Sequence, residues 1–141
     1  MKRNISIQNR RLWILINSFA LIILVIVAEL FINTSLLEGW FWILFLIILI
    51  VLLVSFKMFY VDTGLWKHIH KKSKYLDERE AMVLTKAVRL SYTIFVVTVM
   101  LIIYAFAVIE KGPIDVVIAG SLIYIAHILP AAIIAWSEKE I

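Results

Sequence analysis

The residues with the greatest capacity for chemistry are concentrated in residues 67–80, which read KHIHKKSKYLDERE. His68 and His70 form an H-x-H pair, and Asp77 and Glu78 supply carboxylates a few positions later. Imidazole and carboxylate groups bind metal ions and transfer protons. On a helix, two residues separated by one position point to nearly opposite sides, so this pair could chelate one ion only from an extended segment. These four residues are therefore weak metal candidates, and solvated histidines at a surface are the simpler interpretation.

The DERE sequence at residues 77–80 has a structural explanation as the start of a helix. Asp77 suits the N-cap position, where its side chain would accept a hydrogen bond from the backbone N–H of Glu80. Glu78 would add negative charge to the first helical turn, which the helix dipole favours. The alternative is a docking surface for a cytoplasmic partner or a second copy of the chain, formed by Asp77, Glu78, Arg79 and Glu80.

The remainder of the chain indicates where this polar stretch lies. Of the 141 residues, 64% are hydrophobic, and the mean hydropathy is +1.02. A soluble domain is nearer to half apolar, so the excess indicates lipid. A membrane-spanning helix needs about 20 mostly apolar residues, and the chain has four such segments, at residues 12–32, 39–60, 90–109 and 116–136.

These segments predict an all-α membrane protein, an antiparallel four-helix transmembrane bundle that forms a single membrane domain over residues 1–141. The chain has no cysteine, which excludes disulfides and thiolate chemistry. The segment at residues 39–60 has almost no polar atoms, and we expect it to face lipid more than the other three.

The basic residues predict the orientation of the bundle. Of the fourteen Lys and Arg residues, twelve lie before the first span, between the second and third, or after the fourth. Lys57, near the end of the second span, makes thirteen on the same side, and only Lys111 lies on the other. The positive-inside rule then places both termini and the segment 61–89 in the cytoplasm. Apolar residues recur in this segment near helical spacing, with lysines between them, at Leu65, Trp66, Ile69 and Leu76. This pattern predicts a helix over about residues 64–75 that lies in the membrane interface.

Ionisable or hydroxyl-bearing side chains inside the predicted spans are functional candidates, because polar groups are costly in lipid. Pro130 cannot donate a backbone hydrogen bond, which leaves a carbonyl free near His127. The structural interpretation of His127 is a neutral ring that hydrogen-bonds Thr98 or a tyrosine across helices. The functional interpretation is an outward-opening cavity lined by Glu29, Tyr104, Tyr124 and His127.

The pattern TGLWK…H…LDERE…LTKA…SY, over residues 63–92, resembles a group of small prokaryotic membrane proteins with four predicted spans and a D-E-R-E box. Outside these residues the resemblance is one of general hydropathy. It implies a multi-pass protein of a bacterial or archaeal inner membrane. It implies no activity and no cofactor.

Three functions are compatible with these patterns. The first is a non-enzymatic membrane protein that acts through a protein partner or through self-association, as in a homodimer, at its cytoplasmic segment. The second is a small dimeric proton-coupled transporter that uses Glu29 and His127. The third is a metal-dependent enzyme at the membrane interface, with the candidate residues His68, His70, Asp77 and Glu78.

The bilayer itself is a predicted partner of the basic segment. Each Lys or Arg near an anionic membrane surface gains about 1 kcal/mol from the lipid headgroups. Because the lysines lie at that surface, nucleic acid is a poor partner. No cofactor is predicted.

Overall fold

The computed structural model describes residues 6–33, 39–71, 75–109, 112 and 114–137. Within these ranges the chain is almost entirely helical, and none of the described residues belongs to a strand. The elements are α1 (Ile7–Asn33), α2 (Gly39–Phe56), a π-helical segment (Lys57–Val61), α3 (Leu65–Ile69), α4 (Glu78–Val108) and α5 (Val116–Ser137). Four of the helices are long and apolar enough to cross a membrane: α1, α2 with its π-helical continuation, α4 and α5. The prediction of an all-α protein with four such helices is confirmed.

Contacts at both ends of α1 show that neighbouring helices run in opposite directions. Phe31, near the end of α1, lies beside Trp42 near the start of α2, with ring centroids 5.0 Å apart. Asn17 and Arg11, towards the start of α1, contact Tyr124 and Trp136 of α5 respectively. Packing therefore runs from α2 to α1 to α5 to α4, and α1 and α5 are the two central helices.

Burial differs between the spans in a way that corrects one expectation. In α4 only 6% of the residues in its apolar window are buried, compared with 17% for α2 and 33% for α1. The expectation that the second span is the most exposed is therefore wrong. The reason is that α4 packs mainly on one neighbour, α5, and places its two buried residues, Ala87 and Ser91, near its start.

The segment after α2 reverses the chain direction and returns it to the bundle. The hydroxyl of Thr63 donates to the carbonyl of Phe59 and accepts from the backbone N–H of Leu65, which closes the turn. Gly64 has φ of 79°, a left-handed conformation that side chains with a Cβ rarely adopt. Leu65 is then fully buried in a cluster with Phe59. Within the helix predicted over residues 64–75, the structure describes the five-residue α3, and residues 72–74 lie outside its described part.

Local capping determines where α4 and α5 begin. The side chain of Asp77 accepts a hydrogen bond of 2.7 Å from the backbone N–H of Glu80, which confirms the predicted cap. Asp115 caps α5, and its Oδ1 accepts from the backbone N–H groups of Val117 and Ile118 at 2.9 Å each.

One end of the bundle is where α1 and α4 begin and where α2 and α5 finish. We call it the basic end, because it carries Arg10, Arg11, Lys57, Lys67, Lys71, Arg79, Lys86 and Arg89.

Candidate functional site

A buried polar network joins three helices in the half of the bundle nearer the basic end. Asn17 of α1 is only 1% exposed. Its Nδ2 lies 2.9 Å from the Ser55 Oγ and 3.2 Å from the Leu52 carbonyl oxygen, both on α2. The Tyr124 hydroxyl of α5 lies 3.1 Å from the Asn17 Oδ1 and 2.9 Å from its Nδ2. We call Asn17, Ser55 and Tyr124 the polar network.

One assignment of protons satisfies every group in the polar network. The hydroxyl of Tyr124 donates to the Asn17 Oδ1, and the two Nδ2 hydrogens of Asn17 go to Ser55 and to the Leu52 carbonyl. The Ser55 hydroxyl also donates to the Leu52 carbonyl, at 2.9 Å. The network is therefore a closed set of bonds that holds α1, α2 and α5 together.

A second polar contact lies closer to the basic end. His127 follows Tyr124 by one turn of α5, and its Nε2 lies 3.3 Å from the hydroxyl of Tyr60 in the π-helical segment. Phe56 separates the two sets of polar groups, since its ring centroid is 4.8 Å from that of Tyr60 and 6.0 Å from that of Tyr124. His127 therefore bonds a tyrosine across helices, as its structural interpretation predicts. The tyrosine is Tyr60, whereas the hydroxyl of Thr98 donates to a carbonyl of its own helix.

Four rings meet at this point, and we call Tyr60, Trp66, His70 and His127 the ring cluster. Trp66 stacks on His70 with ring centroids 4.1 Å apart and planes 29° apart. The centroid of His127 lies 5.8 Å from Tyr60, 5.6 Å from Trp66 and 5.7 Å from His70. The segment that follows α2 thus contacts the middle of α5, and each of the two contributes a histidine: His70 from the segment and His127 from α5.

The ring cluster exists because the local chain geometry turns these side chains inward. The π-helical segment places Phe59 and Tyr60 side by side in the core, and both are fully buried. The turn at Gly64 then returns Leu65 to the same cluster, so that Trp66 reaches the Tyr60 ring at 5.5 Å. π-helical turns inserted in α-helices are frequent at functional sites. The amphipathic pattern of the segment gave no signal that Trp66 packs on a histidine of another span.

The four residues predicted to line an outward-opening cavity are not brought together. Tyr104 is 70% exposed on α4, Tyr124 belongs to the polar network, and His127 belongs to the ring cluster. Glu29 lies about 18 Å along α1 from Asn17, at about 1.5 Å per residue, and so is far from both. The cause is the antiparallel pairing of α1 with α5, which places His127 beside the early part of α1.

An apolar cleft is present near the other end of α1. Its volume is about 230 Å³, and it is lined by Val27, Ala28, Phe31, Phe41, Trp42, Phe45 and Val117. None of the four predicted cavity residues is among them. The chemistry of this cleft is that of a contact with hydrocarbon.

The weak metal candidates are also placed by the structure, except His68, whose side chain lies outside the described part. The Nδ1 of His70 lies 2.9 Å from the Trp66 carbonyl oxygen, to which it donates. Asp77 is occupied as a helix cap, and Glu78 is exposed in the first turn of α4. Among the described residues there is no group of three or more His, Cys, Asp or Glu side chains that could hold a metal ion.

The docking candidates lie on an ordered, polar surface. Asp77, Glu78 and Arg79 are exposed at the start of α4. Glu80 forms an ion pair of 2.7 Å with Lys71, which ties α4 to the residue that follows α3 and its turn. This ion pair is solvent-facing, with about a third of each side chain exposed, so its main effect is on geometry.

A contact between the start of α1 and the end of α5 was not evident from the sequence. Arg11 donates from its Nη2 to the Trp136 carbonyl at 2.9 Å, and its guanidinium lies 5.1 Å from the centre of the Trp136 ring. The carbonyls in the last turn of a helix have no partner within the helix, and a cation there also favours the helix dipole. Arg11 therefore joins the start of α1 to the end of α5.

The packing of four apolar spans through α1 and α5 defines the chain as a multi-pass helical membrane protein. No protein-family model, curated protein or solved structure matches it.

Proposed function

We propose that the chain is an integral protein of a prokaryotic inner membrane that acts without catalysis, through association with a second copy or a protein partner at its cytoplasmic surface. In this proposal the basic end faces the cytoplasm. Thirteen of the fourteen Lys and Arg residues of the chain lie on that side, and the positive-inside rule favours the cytoplasm for them. The docking surface consists of α3, the adjoining His70 and Lys71, and the first turn of α4 with its cap Asp77.

The observation that carries this proposal is the anchoring of that surface. Leu65 is 0% exposed, and Trp66 and His70 pack against the ring of His127, so α3 has a defined position on the bundle. Lys71 and Glu80 connect the end of this segment to α4. A surface that is already ordered loses little conformational entropy on binding, which favours association.

The charges on this surface are of both signs, which suits a protein contact. Lys67 and Lys71 lie on one part of it, and Asp77, Glu78 and Arg79 lie on the other. Complementary charges orient partners and raise the rate of encounter. The surrounding basic residues, Arg10, Arg11, Lys57, Lys86 and Arg89, would meet anionic lipid headgroups at the same level.

Site-specific photo-crosslinking in native membranes tests this function. A photoreactive residue at Lys67 or at Arg79 should give a discrete crosslinked product. A product of twice the chain mass would identify a second copy, and any other discrete mass a partner. The matched control is the same residue at Tyr104, which is exposed on the other part of α4.

Charge reversal completes the experiment. Arg79→Glu should reduce the product formed from position 67, because it removes the one positive charge of residues 77–80 and makes that part of the docking surface uniformly negative. The proposal fails if positions 67 and 79 give no discrete product, or if position 104 gives the same product as they do.

A further inference from the structure

The ring cluster places two imidazoles in contact although they come from different elements. His70 lies just after α3, and His127 lies in the middle of α5. Their ring centroids are 5.7 Å apart, and Trp66 contacts both rings. Both histidines are exposed at the surface of the bundle rather than enclosed in its core. Histidine is the side chain whose charge normally changes between about pH 5 and 8.

The hydrogen bonds of the cluster are compatible with two neutral rings. The Nδ1 of His70 donates to the Trp66 carbonyl, which leaves its Nε2 with a free lone pair. The Nε2 of His127 can accept from the hydroxyl of Tyr60. Each histidine thus has one ring nitrogen that is able to take up a further proton.

We propose that the ring cluster is a pH-sensitive latch, closed on α5 while at least one of the two histidines is neutral, and opened when both are protonated. The first proton is tolerated, because a charged imidazole beside Trp66 gains a cation–π contact. The second proton would place two positive charges on rings that touch. Movement of α3 away from α5 relieves this repulsion and lets water solvate both rings.

The other charged groups around the latch favour opening. Titratable or charged side chains on the surrounding elements are Lys57, Tyr60 and Asp62 of the π-helical segment and its cap, Lys67, His68 and Lys71 of α3 and the adjoining turn, Tyr124 of α5, Arg10 and Arg11 of α1, and Glu80 and Lys86 of α4. In the part of the chain that the structure describes, neither His70 nor His127 forms an ion pair with a carboxylate, and Glu80 is paired with Lys71. The surplus of cations offers no compensation for a second protonated ring.

Opening of the latch would change how the docking surface is presented. The movement of α3 follows from the ring cluster alone, whereas its effect on association rests on the proposed function. Acid conditions would release the segment that carries Lys67 and Lys71 from its fixed position. The latch would thereby couple the pH at the basic end to association.

Spin-label distance measurements in lipid nanodiscs test the latch without any partner. The chain has no cysteine, so labels can be attached at Lys67→Cys on α3 and Ser137→Cys at the end of α5. We expect a narrow distance distribution at about pH 8 and a longer, broader one at about pH 5. His70→Gln and His127→Gln should each keep the distance of the parent at the higher pH and lose the shift at the lower pH, because a single histidine cannot produce the double charge.

Glu78→Gln is the matched control, since it neutralises an exposed carboxylate in the first turn of α4 and should leave the shift intact. If one histidine variant does not fold, the other carries the test. The latch is refuted if the parent shows the same distances at both pH values, if the shift persists in a folded histidine variant, or if Glu78→Gln abolishes it. Because these distances involve no association, a failed latch and a failed docking surface would be told apart by the crosslinking result at neutral pH.

Discussion

The two ends of the bundle are held together by different kinds of contact. At the basic end, hydrogen bonds from Asn17, Arg11 and Tyr60 join one helix to another. At the opposite end, α1 and α2 meet through aromatic rings such as Phe31 and Trp42. Lipid tails offer apolar side chains much the same contacts as another helix does, whereas a buried polar group has few alternative partners. The basic end therefore determines which helices are neighbours, and the opposite end is free to adapt to lipid.

Small residues contribute to the same difference between the ends. On α4 the buried residues Ala87 and Ser91 are four positions apart, and on α5 so are Ala131 and Ala135. Ala87, Ala131 and Ala135 belong to one buried cluster. Pairs of small residues at this spacing let helix backbones approach closely in membranes. This contact lies nearer the basic end, and beyond it no residue of α4 is buried.

The largest loss of stability should follow from truncation of Leu65, the buried residue that anchors α3 to the basic end of the bundle. Leu65→Ala removes a fully buried side chain and leaves a cavity, which we expect to cost about 2–4 kcal/mol of stability. The matched change Leu101→Ala, at a residue that is 63% exposed on α4, should be close to neutral. Reversible unfolding in detergent or nanodiscs measures both. Similar losses for the two variants would show that the basic end is not the more tightly packed one.

A smaller loss of stability should follow from substitution of Asn17, the residue at the centre of the polar network. Asn17→Ala deletes the hydrogen bonds that join α1 to Ser55 and Tyr124. Interhelical hydrogen bonds in membranes contribute about 0.6 kcal/mol each on average, so we expect a loss of about 1–2 kcal/mol. Ser18→Ala is the control, because the Ser18 hydroxyl donates to Ile14 within its own helix. The same unfolding measurement applies, and an equal loss for Ser18→Ala would contradict a role for the network in joining helices.

Features fixed by local sequence were predictable. The segment predicted over residues 116–136 is α5, Val116–Ser137, and the start of α4 follows Asp77 as expected. Span lengths and caps depend on residues that are close together in the chain, so the sequence contains their signal. The small-residue spacing on α4 and α5 was also present in the sequence and could have indicated that contact.

The ring cluster could not be predicted in the same way. Tyr60 and His127 are 67 residues apart, and their meeting depends on a π-helical turn and on the left-handed conformation of Gly64. Neither feature has a reliable local pattern. The polar side chains inside the spans suggested an outward-opening cavity, but only the pairing of helices shows which side of α5 His127 faces and what it meets there.

The smallest loss of stability should follow from substitution of Asp77, the cap of α4. Substitutions at this position also distinguish a structural role of the DERE residues from a binding role. Asp77→Ala removes the acceptor for the Glu80 backbone N–H and should cost about 1 kcal/mol. Asp77→Asn and Asp77→Ser retain an oxygen acceptor, so they should cost much less. Thermal unfolding of the three variants ranks them, and crosslinking from position 67 reports on docking. If the negative charge of Asp77 is needed for docking, Asn should weaken the crosslink as much as Ala does while stability is kept. Equal thermal destabilisation by Ala, Asn and Ser would instead remove the capping explanation and leave the start of α4 fixed by other contacts, such as the ion pair between Lys71 and Glu80.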